Sequence, residues 1–194
     1  MKNFISILLL TWVLLPFGLA QAETINPELL QGEEISVNGK SYRLLSKVRA
    51  VEIPSCNAVK NGPSELENLG IDGNRFLTAK QNLAVYETQT AENTFVVDAT
   101  AQGTKRHPVV YSPHTQDLAV VTGKLSVKLT RNDHANAVAS RIKLPIVRQI
   151  PHLRLVMFQV NPQQDIAKVV KRLKKDHRVQ RVRVDLLRNA PRPH

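Results

Sequence analysis

The chain has 194 residues, 27 Lys/Arg against 16 Asp/Glu, a formal net charge of +11 and one cysteine. The single cysteine, Cys56, excludes an intrachain disulfide, so stability must come from packed apolar cores. The charge is uneven: from Lys124 onward 17 cations face 4 acids, whereas residues 23–123 carry 9 against 12. Such asymmetry points to two parts with different partners.

Residues 1–22 read as a secretory signal: Lys2, an apolar run from Phe4 to Leu15, then the small-x-small pattern Ala20-Gln-Ala22. The run is shorter than the ~20 apolar residues of a retained anchor, so no stable membrane insertion is expected. The mature protein is expected to be periplasmic or secreted, where nucleic acid is not an expected partner.

Residues 23–117 give β signals. Ile35-Ser-Val37 and Lys40 to Leu45 flank Asn38-Gly39, which supplies the two positive φ angles of a type I′ hairpin turn. Val48 to Ile53 alternates apolar with polar, and Pro54 ends it. Residues 55–73 are rich in turn formers and predict a loop with one helical turn near Glu65 to Leu69. Leu83 to Tyr86, Thr94 to Val97 and Val109 to Tyr111 are short strands. This predicts a small β-rich domain without legible chemistry.

Residues 118–187 are clearer. A strand from Leu118 to Leu129, interrupted at Gly123, precedes a helix carrying Ala135, Val138, Ala139 and Ile142, with Asn132 or Asp133 as its cap. Two strands follow, from Leu144 to Ile150 and from Leu153 to Val160. Asn161-Pro162 then predicts a cap and first turn. Ile166, Val169, Val170 and Leu173 form one stripe of the second helix, and Val182, Val184 and Leu186 alternate in a last strand. Helices this short need tertiary packing, so both should cover one face of a four-stranded sheet. The fold class is therefore α+β: a β-rich domain, then a βαββαβ unit, then a tail at 188–194.

The third strand of that unit is apolar at both parities: Leu153, Leu155 and Met157 against Val156, Phe158 and Val160. One set is left for a partner or for the N-terminal domain. Enzyme chemistry is not expected, because His107, His114, His134, His152, His177 and His194 are scattered, with no HExxH and no paired carboxylates. No cofactor or metal is expected.

Residues 118–194 resemble the subtilase propeptide (inhibitor-like) family. The likeness rests on Lys124-Leu-Ser-Val-Lys-Leu129, Val147-Arg-Gln-Ile-Pro151 before Leu153-Arg-Leu-Val, Asp165-Ile166 opening the second helix, and Leu173-Lys-Lys-Asp-His-Arg-Val179. The whole arrangement looks similar to the separate external chaperones of secreted kexin-like subtilases in Gram-negative bacteria. The resemblance implies a ferredoxin-like fold and a non-enzymatic role. It also implies a 1:1 complex with a subtilisin-like serine protease, whose folding the chain assists and whose cleft it blocks.

The sheet's open face would dock through Val156, Phe158, Val160, Arg181, Arg183 and Asp185. The tail, Ala190, Pro191, Arg192, Pro193 and His194, would enter the cleft. The resemblance implies that the open face lies against two surface helices of the protease, often with acidic side chains near the helix N-termini. Here either Asp185 serves alone, or the partner brings acids to a basic face. The rival is an exported adaptor whose basic domain binds an anionic envelope polymer or membrane surface.

Overall fold

The computed structural model describes residues 26–53, 58–92, 95–100 and 103–188. The fold is mixed and strand-rich, with few helices. A 3-10 turn at Pro27–Leu30 leads into β1 (Gly32–Val37) and β2 (Lys40–Glu52), then α1 (Ala58–Asn68), β3 (Phe76–Lys80), β4 (Leu83–Glu87), β5 (Asp98–Ala99) and β6 (Lys105–Ser112). The second half holds β7 (Asp117–Leu129), α2 (Ala135–Ile142), β8 (Ile146–Ile150), β9 (Leu155–Gln159), α3 (Ile166–Lys174) and β10 (Val179–Leu187).

The ten strands of the described residues belong to one sheet, whose main path runs β3-β4-β2-β6-β7-β9-β8. β1 joins β2, β5 joins β6, and β10 joins the free edge of β7, every pair antiparallel. The expected boundary between residues 117 and 118 therefore falls at the start of β7, a strand shared by both halves. Its first residues pair with β6 and its last with β9, while β10 runs along most of its other edge. Gly123, at φ +76, marks the bend between the halves. A Cβ there would come within 2.9 Å of Gln159 and 3.0 Å of Val97, so only glycine suits the position.

The Asn38-Gly39 turn has both residues at positive φ, 56° and 79°. The strands on either side of it are longer than the sequence indicates. Residues 40–45 and 48–53 merge into β2, because it pairs with β1 and then β4 on one edge and with β6 on the other. α1 exceeds the single turn expected, even with Pro63 inside it. Val96 makes only an isolated bridge, to Asp165.

In the second half the four strands stand in the order β10-β7-β9-β8, with α2 and α3 packed on one face. Ile166, Val169 and Leu173 of α3 and Ala135, Val138 and Ile142 of α2 are buried against the sheet. The cap of α3 is Asp165, whose carboxylate accepts the Lys168 amide at 3.1 Å. Asn161-Pro162, expected to open the helix, forms a preceding turn instead. Neither Asn132 nor Asp133 caps α2: a short 3-10 turn at Asn132–His134 precedes it, and Asp133 pairs with Arg131 at 2.9 Å.

Candidate protein-docking face

Strand periodicity gives β9 two faces, and the helices choose between them. Val156, Phe158 and Val160 are 1%, 0% and 2% exposed and sit in the core with α2, α3 and Leu125, Val127, Val182 and Val184. This corrects the expectation that they line the docking face. The helix stripes cover the even-numbered set, so the odd-numbered set is turned to the helix-free side. β9 is apolar at both parities, so pattern alone could not reveal which set the helices take.

The registers fix what lies on the helix-free side. Met157 stands opposite Ser126 of β7 and Arg148 of β8, and Arg183 of β10 stands opposite Ser126. Leu155 stands opposite Lys128 and Ile150, with Arg181 opposite Lys128. Gln159 faces Lys124. Two cross-strand rows result, Arg183-Ser126-Met157-Arg148 and Arg181-Lys128-Leu155-Ile150, each cationic at β10 and apolar at β9. Side chains directly opposite in such rows lie close enough to act together.

The face is accessible. Arg181, Arg183, Asp185, Lys124 and Arg148 are exposed, and Leu155 and Met157 are half-buried. At its rim Val147 and Leu153 are 54% and 52% exposed, the large apolar side chains most open to solvent among the described residues. Arg181 and Arg183 therefore stand where the sequence placed them, on an uncovered strand surface. Asp185 is there too, but its carboxylate already accepts the Thr122 hydroxyl at 3.0 Å. Among the described residues no acid pairs with Lys124, Lys128, Arg148, Arg181 or Arg183. The face offers an apolar strip framed by uncompensated cations, which suits a partner surface carrying both apolar and acidic groups.

Where the tail begins is also defined. Arg188 lies over the Tyr42 ring, 5.4 Å from its centroid, and donates to the Tyr42 hydroxyl. The chain end thus leaves β10 beside the β1–β2 hairpin. Ala190, Pro191, Arg192, Pro193 and His194 lie outside the described residues, as do Cys56 and the signal segment at 1–22.

The titratable groups with shifted behaviour hold structure, and one of them, His107, lines a cavity together with Lys124, Gln159 and Asp185 at the edge of this face. Asp176, 2% exposed in the turn after α3, accepts from the Arg178 side chain at 2.8 and 2.9 Å and from Arg141 of α2 at 3.4 Å. Hydrogen bonding from Arg178 is the main cause that holds its carboxyl down at about 2. His107 of β6 is buried. Its Nδ1 bonds the Val121 carbonyl at 3.2 Å, and its Nε2 lies 3.5 Å from Glu52. Burial pushes its pKa below the ordinary imidazole value, with Glu52 opposing. Among the described residues no three His, Cys, Asp or Glu gather into a set that could hold a metal ion.

Comparison with known proteins gives one family. The model of the open reading frame 2 N-terminal domain matches residues 21–193. No curated protein matches the chain. Among solved structures, a chain from the crystal structure of the Aeromonas sobria serine protease (ASP) and the chaperone (ORF2) complex is similar at 14% identity. The match has a TM-score of 0.44 and covers 84% of this chain and 100% of that one.

Proposed function

The chain belongs to the open reading frame 2 N-terminal domain family, and from that premise we propose that it is an exported chaperone and inhibitor of a subtilisin-like, kexin-like serine protease. It acts in trans as a detached propeptide, in a 1:1 complex. The β7–α2–β8–β9–α3–β10 unit is read as ferredoxin-like, in keeping with the propeptide resemblance of its sequence. One observation carries the proposal: the helix-free face keeps Leu155, Met157 and Ile150 in reach of solvent among cations that have no acid of their own.

Mechanistically, that face receives surface helices of the folding protease. The apolar strip covers their exposed stems, and Arg181, Arg183 and Arg148 meet acidic side chains. Parallel sheets of the subtilisin type close long loops before contacts compensate, which slows folding. A template bound to the transition state lowers that barrier, and continued binding stabilises the product by mass action. For inhibition, the tail leaving at Arg188 lies extended along the cleft, where Pro191 and Pro193 limit its freedom and reduce the ordering cost.

The test is refolding of a subtilisin-like protease freed of its own propeptide, with and without the protein. Active protease should be recovered only with it. Deleting residues 191–194 should leave that recovery intact while releasing inhibition. Equal recovery without the protein contradicts the chaperone role.

The basic face also favours a second reading, an adaptor for an anionic envelope polymer. Salt separates the two: polymer binding through five cations falls steeply with ionic strength, whereas docking through the apolar strip persists.

A further inference from the structure

On the opposite side of the second half, a groove of about 550 Å³ runs between β1, α3 and β10. Its floor is apolar, formed by Ile35, Phe95, Val170 and Val182, and Lys171 and Lys174 stand along its α3 wall. Among the described residues β10 pairs only with β7, so its outer edge lies toward this groove. The amide and carbonyl of Val184 point outward, because both bond the Asn38 side chain at 2.8 Å. Val182, two residues earlier, presents its own pair in the same direction. Among the described residues that pair has no backbone partner.

An unpaired strand edge beside an apolar trough is the arrangement that accepts an added strand: backbone bonds supply affinity, and alternate side chains fill the floor. The charge of the wall selects the incoming strand. Lys171, Lys174 and the neighbouring Lys175 are exposed, and none has an acidic partner among the described residues. Two acids stand at the rim, Glu33 and Asp165, the latter also capping α3, so the three lysines still outnumber them.

We propose that this groove is a second docking site, which takes an extended acidic segment of the partner polypeptide as an added strand on the outer edge of β10. Only the identity of that partner rests on the proposed function; the groove chemistry stands without it. Asn38 closes one end of the edge, so the added strand runs from Val182 toward the start of β10.

The experiment uses the full mature chain and a fluorescent seven-residue peptide of alternating glutamate and valine, with a lysine-valine peptide as counterpart. Anisotropy should show the glutamate peptide binding at least about tenfold more tightly. Amide exchange of Val182 should slow on binding. The exposed pair K171E/K174E should lower the affinity by about tenfold or more with thermal stability unchanged.

Equal affinity for both peptides, or binding that leaves Val182 exchange untouched, overturns the proposal. So does tight binding of oleate that the peptide cannot displace, which would make the groove a lipid site. No protease enters this assay, so its failure leaves docking through the Met157 face unaffected.

Discussion

The side-chain amide of Asn38 bonds both backbone groups of Val184, donating to its carbonyl and accepting from its amide at 2.8 Å each. The residue that makes the β1–β2 turn thus also stands in for a strand neighbour of β10, 146 residues away. Asn38→Gly keeps the positive φ that the turn requires but removes both bonds. It should cost about 1–2 kcal/mol in urea denaturation and speed amide exchange at Val184. An unchanged midpoint would mean that only the turn conformation matters.

Adjacent residues on β9 should behave oppositely. Phe158 is fully buried beneath the helices, so Phe158→Ala should cost about 3–5 kcal/mol. Met157 faces the open side, and Met157→Ala should cost less than about 1 kcal/mol. Met157→Glu should preserve thermal stability while weakening protease inhibition by about tenfold or more. Similar destabilisation at both positions would show that the two faces are not distinct.

Asp176 links α2 to the turn before β10 through Arg141 and Arg178. Its pKa falls from 3.8 to about 2 on folding, so its contribution is present above the unfolded value and is lost as pH drops from about 4 to about 2. Asp176→Asn leaves two arginines without their shared acid. It should cost about 3 kcal/mol near neutral pH, and that deficit should shrink toward pH 2. Urea midpoints across this range check both the size and the sign.

His107 gives a dependence in a different window. Its folded pKa lies below the ordinary value of 6.5, so as pH falls past 6.5 the unfolded chain takes up a proton that the folded chain refuses. Native stability should therefore decline on acidification, until the lower folded value is reached. Burial chiefly sets how far that lies, with Glu52 near Nε2 opposing it and Lys105 on the same strand adding to it. His107→Gln should lose this slope. A wild-type protein as stable at pH about 5.5 as at about 7.5 would contradict it.

Much of the second half is legible in the sequence because its periodicities are clean. The α3 stripe and the alternation of Val182 and Val184 each specify one local structure, as the Asn38-Gly39 turn does in the first half. β9 is different: with both parities apolar, its buried set depends on where the helices land. The helix-free face needed strand registers, since Arg148, Ser126 and Arg183 are far apart in sequence and adjacent only through β9 and β7. The Asn38–Val184 contact left no signal beyond the turn itself, because a hairpin asparagine is already accounted for by its φ. The sharing of β7 between the halves was hidden for a similar reason. Gly123 signals an interruption, but not that β10 continues across it.

Docking of the protease on the helix-free face is open to a direct test. A photo-crosslinking residue at position 157, with a control at Ala137 on the exposed side of α2, tests it in a refolding mixture with a subtilisin-like protease. An adduct to the protease is expected from position 157 and none from 137. Labelling from 137 alone, or from neither position while inhibition persists, would contradict it.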